Sequence, residues 1–239
     1  MVKQTARKHQ NIDSRSSAAL YVYVISYVLY LYFYRIENDL DIALIFKPII
    51  IPSVAFAYFF TTKIPNFYPN LLLFLAIFFA DNLILIDERD IKVLSTYLYL
   101  LAIGILFTHV VIDSKIFIKS KYLKNKLYFF VVCYLSIFIL YKILTMILNI
   151  QFKEIFIVLA YVFLFLMLLI LTIYNVIRFK SIASIFLLLT MLFLFFSDLF
   201  IVLNKYYISN QLLVYSASLI EIPIYYFLLK YLIYRERIK

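Results

Sequence analysis

Apolar runs of about 17 residues or more recur along nearly the whole chain, and a helix of that length crosses a hydrocarbon core about 30 Å thick. This excludes most soluble folds, because so many apolar faces cannot all be buried against one another. Composition agrees: 66% of the 239 residues are hydrophobic and 15% are charged. A water-soluble domain carries about 25% charged and about 45–50% apolar residues. The runs predict eight spans, at 18–34, 43–60, 70–86, 93–112, 127–148, 155–177, 182–203 and 212–233. The expected fold class is therefore all-α: a polytopic membrane helix bundle over residues 18–234, with a basic tail at 1–17 and a short tail at 235–239. Asn70, after Pro65 and Pro69, is placed as the cap of the third helix. No short apolar core with a small-residue cleavage site stands near the start, so no cleaved signal is expected.

The basic residues set the expected orientation. Lys and Arg number four in the amino-terminal tail, one, five and two in the loops after spans two, four and six, and three in the last tail. The opposite loops hold five, Arg35, Arg89, Lys92, Lys153 and Lys205, so the division is fifteen against five. Lys and Arg concentrate on the cytoplasmic side, which puts both termini in the cytoplasm, as an even number of spans requires. The same placement accounts for the net charge of +10 without a nucleic-acid partner. The single cysteine, Cys133, lies in an apolar run, so neither a disulfide framework nor a thiolate metal site is expected, and no cofactor is implied.

An ionisable group inside a span is costly and needs a reason. Lys47, Asp81, Asp198 and Glu221 stand out; Lys142 is weaker, because its stem can carry the amine to the interface. In the eight-span topology Lys47, Asp81 and Asp198 each lie about four or five residues from an outer helix end. That is roughly 6–8 Å below the edge of the core and points to one shared site. Glu221 lies nearer the midplane, on a face with the small residues Ala217 and Ser218. A structural ion pair between Lys47 and one aspartate explains the charges equally simply. Tyr161, Thr172 and Asn175 form a stripe on the sixth span, read as interhelical hydrogen bonding before a ligand site, and His109 reads as an interfacial histidine.

Lys47-Pro48 early in the second span, Asp81 within FFADNLILI, His109 at 28 positions beyond it, and Ser197-Asp198 within FFSDLFIVLNKYY resemble the YhhN-like lysoplasmalogenase family from about residue 42 to 233. The family's Gly-Asp is here Ala80-Asp81, Ile112 stands where an aromatic residue is expected, and its Tyr-Tyr-x-Ala-Gln pattern is replaced at 217–221. The resemblance implies a cell-membrane hydrolase that cleaves the vinyl ether of lysoplasmalogen-type lipids. Asp81 and Asp198 would be the acid/base pair, with Lys47, Asn204 and Glu221 binding the lipid. The chemistry suits two carboxyls. One delivers a proton to the vinyl carbon, and the other assists water at the resulting oxocarbenium-like centre, as in glycoside cleavage, where the carboxyls are at most about 9.5 Å apart. The alternative is a non-enzymatic binding or proton-coupled transport site for a lipid or small amphiphile; a sensory role is disfavoured by the short tails. A retinal-type pigment is disfavoured because Lys230 is near a helix end, and a zinc hydrolase because His9 and His109 are the only histidines.

Overall fold

The computed structural model describes residues 2–62, 67–86, 88–118, 134, 155–207 and 209–236. Seven α-helices and no strand occur among them: α1 Val2–Leu31, α2 Leu40–Thr61, α3 Phe67–Leu83, α4 Arg89–Ile118, α5 Ile155–Phe179, α6 Ile182–Tyr206 and α7 Gln211–Glu236. Six of the described segments are long and apolar enough to cross a membrane: Ser16–Glu37, Leu40–Thr61, Asp90–Ser114, Leu159–Phe179, Ile182–Asn204 and Gln211–Glu236. Apolar α3, at 17 residues, is shorter. The predicted span at 127–148, with Cys133 and Lys142, lies outside the described residues apart from helical Tyr134.

Each predicted span that falls among the described residues is a helix, with shifted ends. The helix predicted from residue 18 begins at Val2 and continues through the polar stretch, since nothing in that stretch is a proline or glycine to stop it. The third helix starts three residues before Asn70, so Asn70 is not its cap but a fully buried residue within its first turn. It ends at Leu83, and residues 84–86 form turns whose N–H groups bond back to Ala80, Asn82 and Leu83.

Many large apolar side chains point outward among the described residues, among them Ile25, Ile45, Phe56, Phe79, Phe163 and Leu219, while Ser95, Thr172, Asn175 and Asp81 are buried. A soluble domain avoids large exposed apolar patches. A helix bundle in lipid has no such constraint and turns its polar groups inward, where backbone and side chains satisfy them.

The chain divides into two compact units, one of Met1–Phe67 with Leu189–Lys239 and one of Tyr68–Leu188. In the first, α1 packs along α2, α2 against α7, and α6 meets α7 through Phe193 and Phe227, whose rings are 5.4 Å apart. Between α1 and α2 the chain winds one π-helical segment, Tyr32–Glu37. The Phe33 carbonyl accepts from the N–H groups of both Asn38 and Asp39, and Asn38 closes the segment at φ 54°. Asparagine tolerates this left-handed conformation better than most residues do. Asp39 then caps α2 by accepting from the Ile42 N–H at 3.0 Å.

In the second unit α4 packs against α5. The Ser114 hydroxyl on α4 shares its one proton between the Val110 carbonyl of its own helix, at 2.7 Å, and the Asn175 amide oxygen on α5, at 3.0 Å, both side chains being buried. Asn175 of the polar stripe is thus an interhelical hydrogen bond, while Thr172 donates to the Leu168 carbonyl of its own helix. Hydrogen bonds between membrane helices are worth about 0.6 kcal/mol on average and at most about 1.7. Ser114→Ala is expected to lower stability by about that much, measured by unfolding in detergent; a neutral result would deny the bond any role in pairing α4 with α5.

Candidate functional site

The sequence predicts costly polar groups at a few helix positions, and in the first unit the structure gathers several of them around one carboxylate. Glu221 lies on α7, and both its oxygens are engaged. Tyr27 of α1 donates to Oε2 at 3.0 Å, and Ser197 of α6 donates to Oε1 at 3.0 Å. Three helices thus meet on one side chain. Tyr27 and Ser197 are buried, at 0% and 2% exposure, so the two donors are shielded from water and the carboxylate is their acceptor.

Around this node stands a column of tyrosines from α1 and the π-helical segment that follows it. Positions 23, 27, 30 and 34, spaced by four, three and four, fall on one helix face. The rings of Tyr23 and Tyr27 meet edge to face at 6.0 Å, as do Tyr27 and Tyr30, and Tyr30 stacks on Tyr34 at 5.4 Å. Tyr225 of α7 leans on Tyr27 at 6.5 Å. The Tyr23 hydroxyl donates to the Ile222 carbonyl, next to Glu221. Lys47 reaches this column from α2: its ammonium lies 4.5 Å from the Tyr30 ring centre and 5.8 Å from that of Tyr27, and the residue is buried. An aromatic face within about 6 Å stabilises a cation, the more so when water is excluded. The Lys47 ammonium and the Glu221 carboxylate therefore both make contact with Tyr27.

Proline adjoins the charges. Pro48 follows Lys47 and Pro52 lies one turn on, and neither has an N–H to reach back to Leu44 or Pro48. Pro223 follows Glu221 by two residues. Both charges thus sit on helices whose ladders of backbone bonds are locally interrupted. At one end of the column Arg35 lies over the Tyr34 ring at 4.5 Å and donates from Nε to the Ser218 hydroxyl at 3.1 Å. Ser218 and Ala217 are buried, as the small face predicted for α7 requires.

The remaining predicted residues fall in different surroundings. Asp198 follows Ser197 on α6 and is exposed. Asn204 accepts from the Asn210 N–H at 2.9 Å and so ties down the connection from α6 to α7. Asp81 belongs to the second unit, where it is 2% exposed and accepts from the Tyr99 hydroxyl of α4 at 2.5 Å. Next to it, Ser95 of α4 donates to the Ala80 carbonyl at 2.8 Å, so the end of α3 is joined to α4 at two adjacent residues. His109 is buried on α4. No group of three or more His, Cys, Asp or Glu side chains that could hold a metal occurs among the described residues.

Lys47, Glu221 and the Ser197-Asp198 pair therefore come together in the first unit, and Asp81 is fixed separately in the second. The buried partners Tyr23, Tyr27, Tyr30 and Ser197, and the half-buried Tyr99, are not among the residues predicted for the site. A signal for three of them is present in the 4-3-4 tyrosine spacing of residues 23–34, which in a chain with 23 tyrosines does not stand out. Compared with protein-family models, with curated proteins and with solved structures, the chain matches none.

Proposed function

We propose that the chain is a multi-pass protein of the cell membrane that binds a lipid with a polar head at the Lys47–tyrosine–Glu221 cluster and hydrolyses the vinyl ether of lysoplasmalogen-type lipids, the resemblance assigning the acid and base roles to Asp81 and Asp198. One observation carries this reading. Lys47-Pro48 and Ser197-Asp198, two of the pieces in which the sequence resembles YhhN-like lysoplasmalogenases, are 150 positions apart in the chain, and both adjoin the Tyr27–Glu221 node of one compact unit. Lys47 would hold the phosphate of the head group, and Asp198, exposed beside the buried Ser197, would reach the ether. The test is release of fatty aldehyde from a lysoplasmalogen by the purified protein; no aldehyde above a protein-free control would reject hydrolysis.

A second reading, a binding or transport site for an amphiphile with no chemistry, is favoured by the hydrogen bonds that Glu221 accepts on both oxygens and by the one that Asp81 receives, since carboxyls so held serve architecture as well as catalysis. The two readings separate on the same assay, because binding without aldehyde release supports only the second.

The proposal includes eight spans with both termini in the cytoplasm, carried by the fifteen-to-five division of basic residues. Reporter fusions after residues 121 and 239 are expected to read cytoplasmic, and one after residue 87 external. A cytoplasmic signal after residue 87 would overturn this topology.

A further inference from the structure

A cavity of about 70 Å³ opens in the first unit between the start of the apolar part of α1, the end of α2 and the end of α7. It is distinct from the tyrosine cluster. At 1.5 Å per residue, Thr61 is about 21 Å along α2 from Lys47, and Lys230 about 14 Å along α7 from Glu221. Its polar lining is Ser16, Thr61, Lys230 and Tyr234, its apolar lining includes Ala57 and Ile233, and no acidic side chain contributes. The Thr61 hydroxyl donates to the Ala57 carbonyl at 2.7 Å. Lys230 lies against the Tyr226 ring at 5.3 Å, and no carboxylate pairs with it among the described residues. The Glu236 carboxylate, at the same end of α7, accepts from Tyr58 at 3.4 Å.

An amine at the end of an apolar helix, without a counter-ion and beside a cavity, has an electrostatic demand that the described residues do not meet. The volume far exceeds the roughly 10–15 Å³ that one water needs, and is about half that of a cavity of about 150 Å³ that admits benzene. It suits one compact anionic group. Lysine binds phosphate as a point charge, and basic pockets between membrane helices take anionic head groups. The apolar side chains beside the polar ones suit an anion carried on an acyl tail.

We propose that this cavity takes a phosphate group, with Lys230 as its counter-ion and the Ser16 and Tyr234 hydroxyls beside it, and that an anionic phospholipid supplies it. The full-length protein is placed in nanodiscs of phosphatidylcholine alone or with added phosphatidylglycerol, and its melting temperature is measured. Ligand that binds only the folded state raises that temperature. A rise of several degrees with phosphatidylglycerol is expected for the wild type and for Lys230→Arg, and most of it is lost in Lys230→Gln. Lys180→Gln, which removes an exposed charge elsewhere, keeps the full rise. Inorganic phosphate added to neutral discs distinguishes the source: a rise there that depends on Lys230 supports the anion site with free phosphate as ligand, and no rise supports the lipid. Should Lys230→Gln not fold, Tyr234→Phe, which keeps the ring and removes the hydroxyl, is expected to reduce the rise. Equal rises in the wild type and Lys230→Gln, or no rise in the wild type with either ligand, would overturn the proposal.

Discussion

On the proposed reading, Asp81→Asn and Asp198→Asn are each expected to reduce lysoplasmalogen hydrolysis per folded molecule by at least about a hundredfold, the lower end of what a positioned acid or base contributes. Asparagine matches aspartate in shape but neither donates an acidic proton nor accepts one as a base. At position 81 the amide oxygen still accepts the Tyr99 hydroxyl that now donates at 2.5 Å, so the join between α3 and α4 persists. At position 198 the side chain is exposed, and the substitution disturbs little packing. Both variants are therefore expected to fold, and activity has to be normalised to folded protein. A structural role makes the opposite forecast, with a lower melting temperature and unchanged activity per folded molecule. Full specific activity in both variants would remove the two aspartates from the proposed chemistry, and loss in only one would leave a single-carboxyl mechanism.

Glu221→Ala is expected to lower stability by about 2–3 kcal/mol. Tyr27 and Ser197 lose their acceptor together. Each hydrogen bond in a membrane interior is worth up to about 1.7 kcal/mol, and a buried donor left unsatisfied costs about 1–3 kcal/mol. Glu221→Gln keeps a carbonyl oxygen for one donor and is expected to cost less than about half as much. Tyr27→Phe, which removes a single donor and keeps the ring against Lys47, falls within the about 0.6–1.7 kcal/mol of one bond. The measurement is equilibrium unfolding in detergent. If alanine proved no more harmful than glutamine, Glu221 would not be the point on which α1, α6 and α7 are joined.

The helices were legible because their signal is strong: apolar runs of membrane length have few other solutions. Their ends were not, because a polar stretch without proline or glycine continues a helix as readily as it begins a tail, as residues 2–17 do. The cost of burying charge singled out four groups, of which Lys47, Asp81 and Glu221 are buried or part-buried while Asp198 is exposed. It did not supply their partners. A charged group has its partner through space, and Tyr27 and Glu221, 194 positions apart, bear no local mark of one another. Tyrosine compounds the difficulty, since its ring counts as apolar in any hydropathy pattern while its hydroxyl does the pairing. Asn204 illustrates the converse. From the sequence it is expected to bind the lipid, and in the structure it accepts from the Asn210 backbone.

The π-helical segment at Tyr32–Glu37 has a consequence for chain length. A π turn closes on the fifth residue back instead of the fourth, so it holds one residue more than an α turn. Removing one residue anywhere in the segment would allow an ordinary turn with a complete ladder of backbone bonds, locally the more favourable conformation. The shorter turn then spans nearly the same rotation, so the residues beyond it keep almost their former phase relative to α1, and a deletion that spares Tyr34 and Arg35 would leave Arg35 close to Ser218 and to its place over Tyr34. The wide turn thus behaves as an insertion absorbed without loss of phase. A one-residue deletion here would be tolerated better than one inside α1, where every later side chain would turn by about 100°.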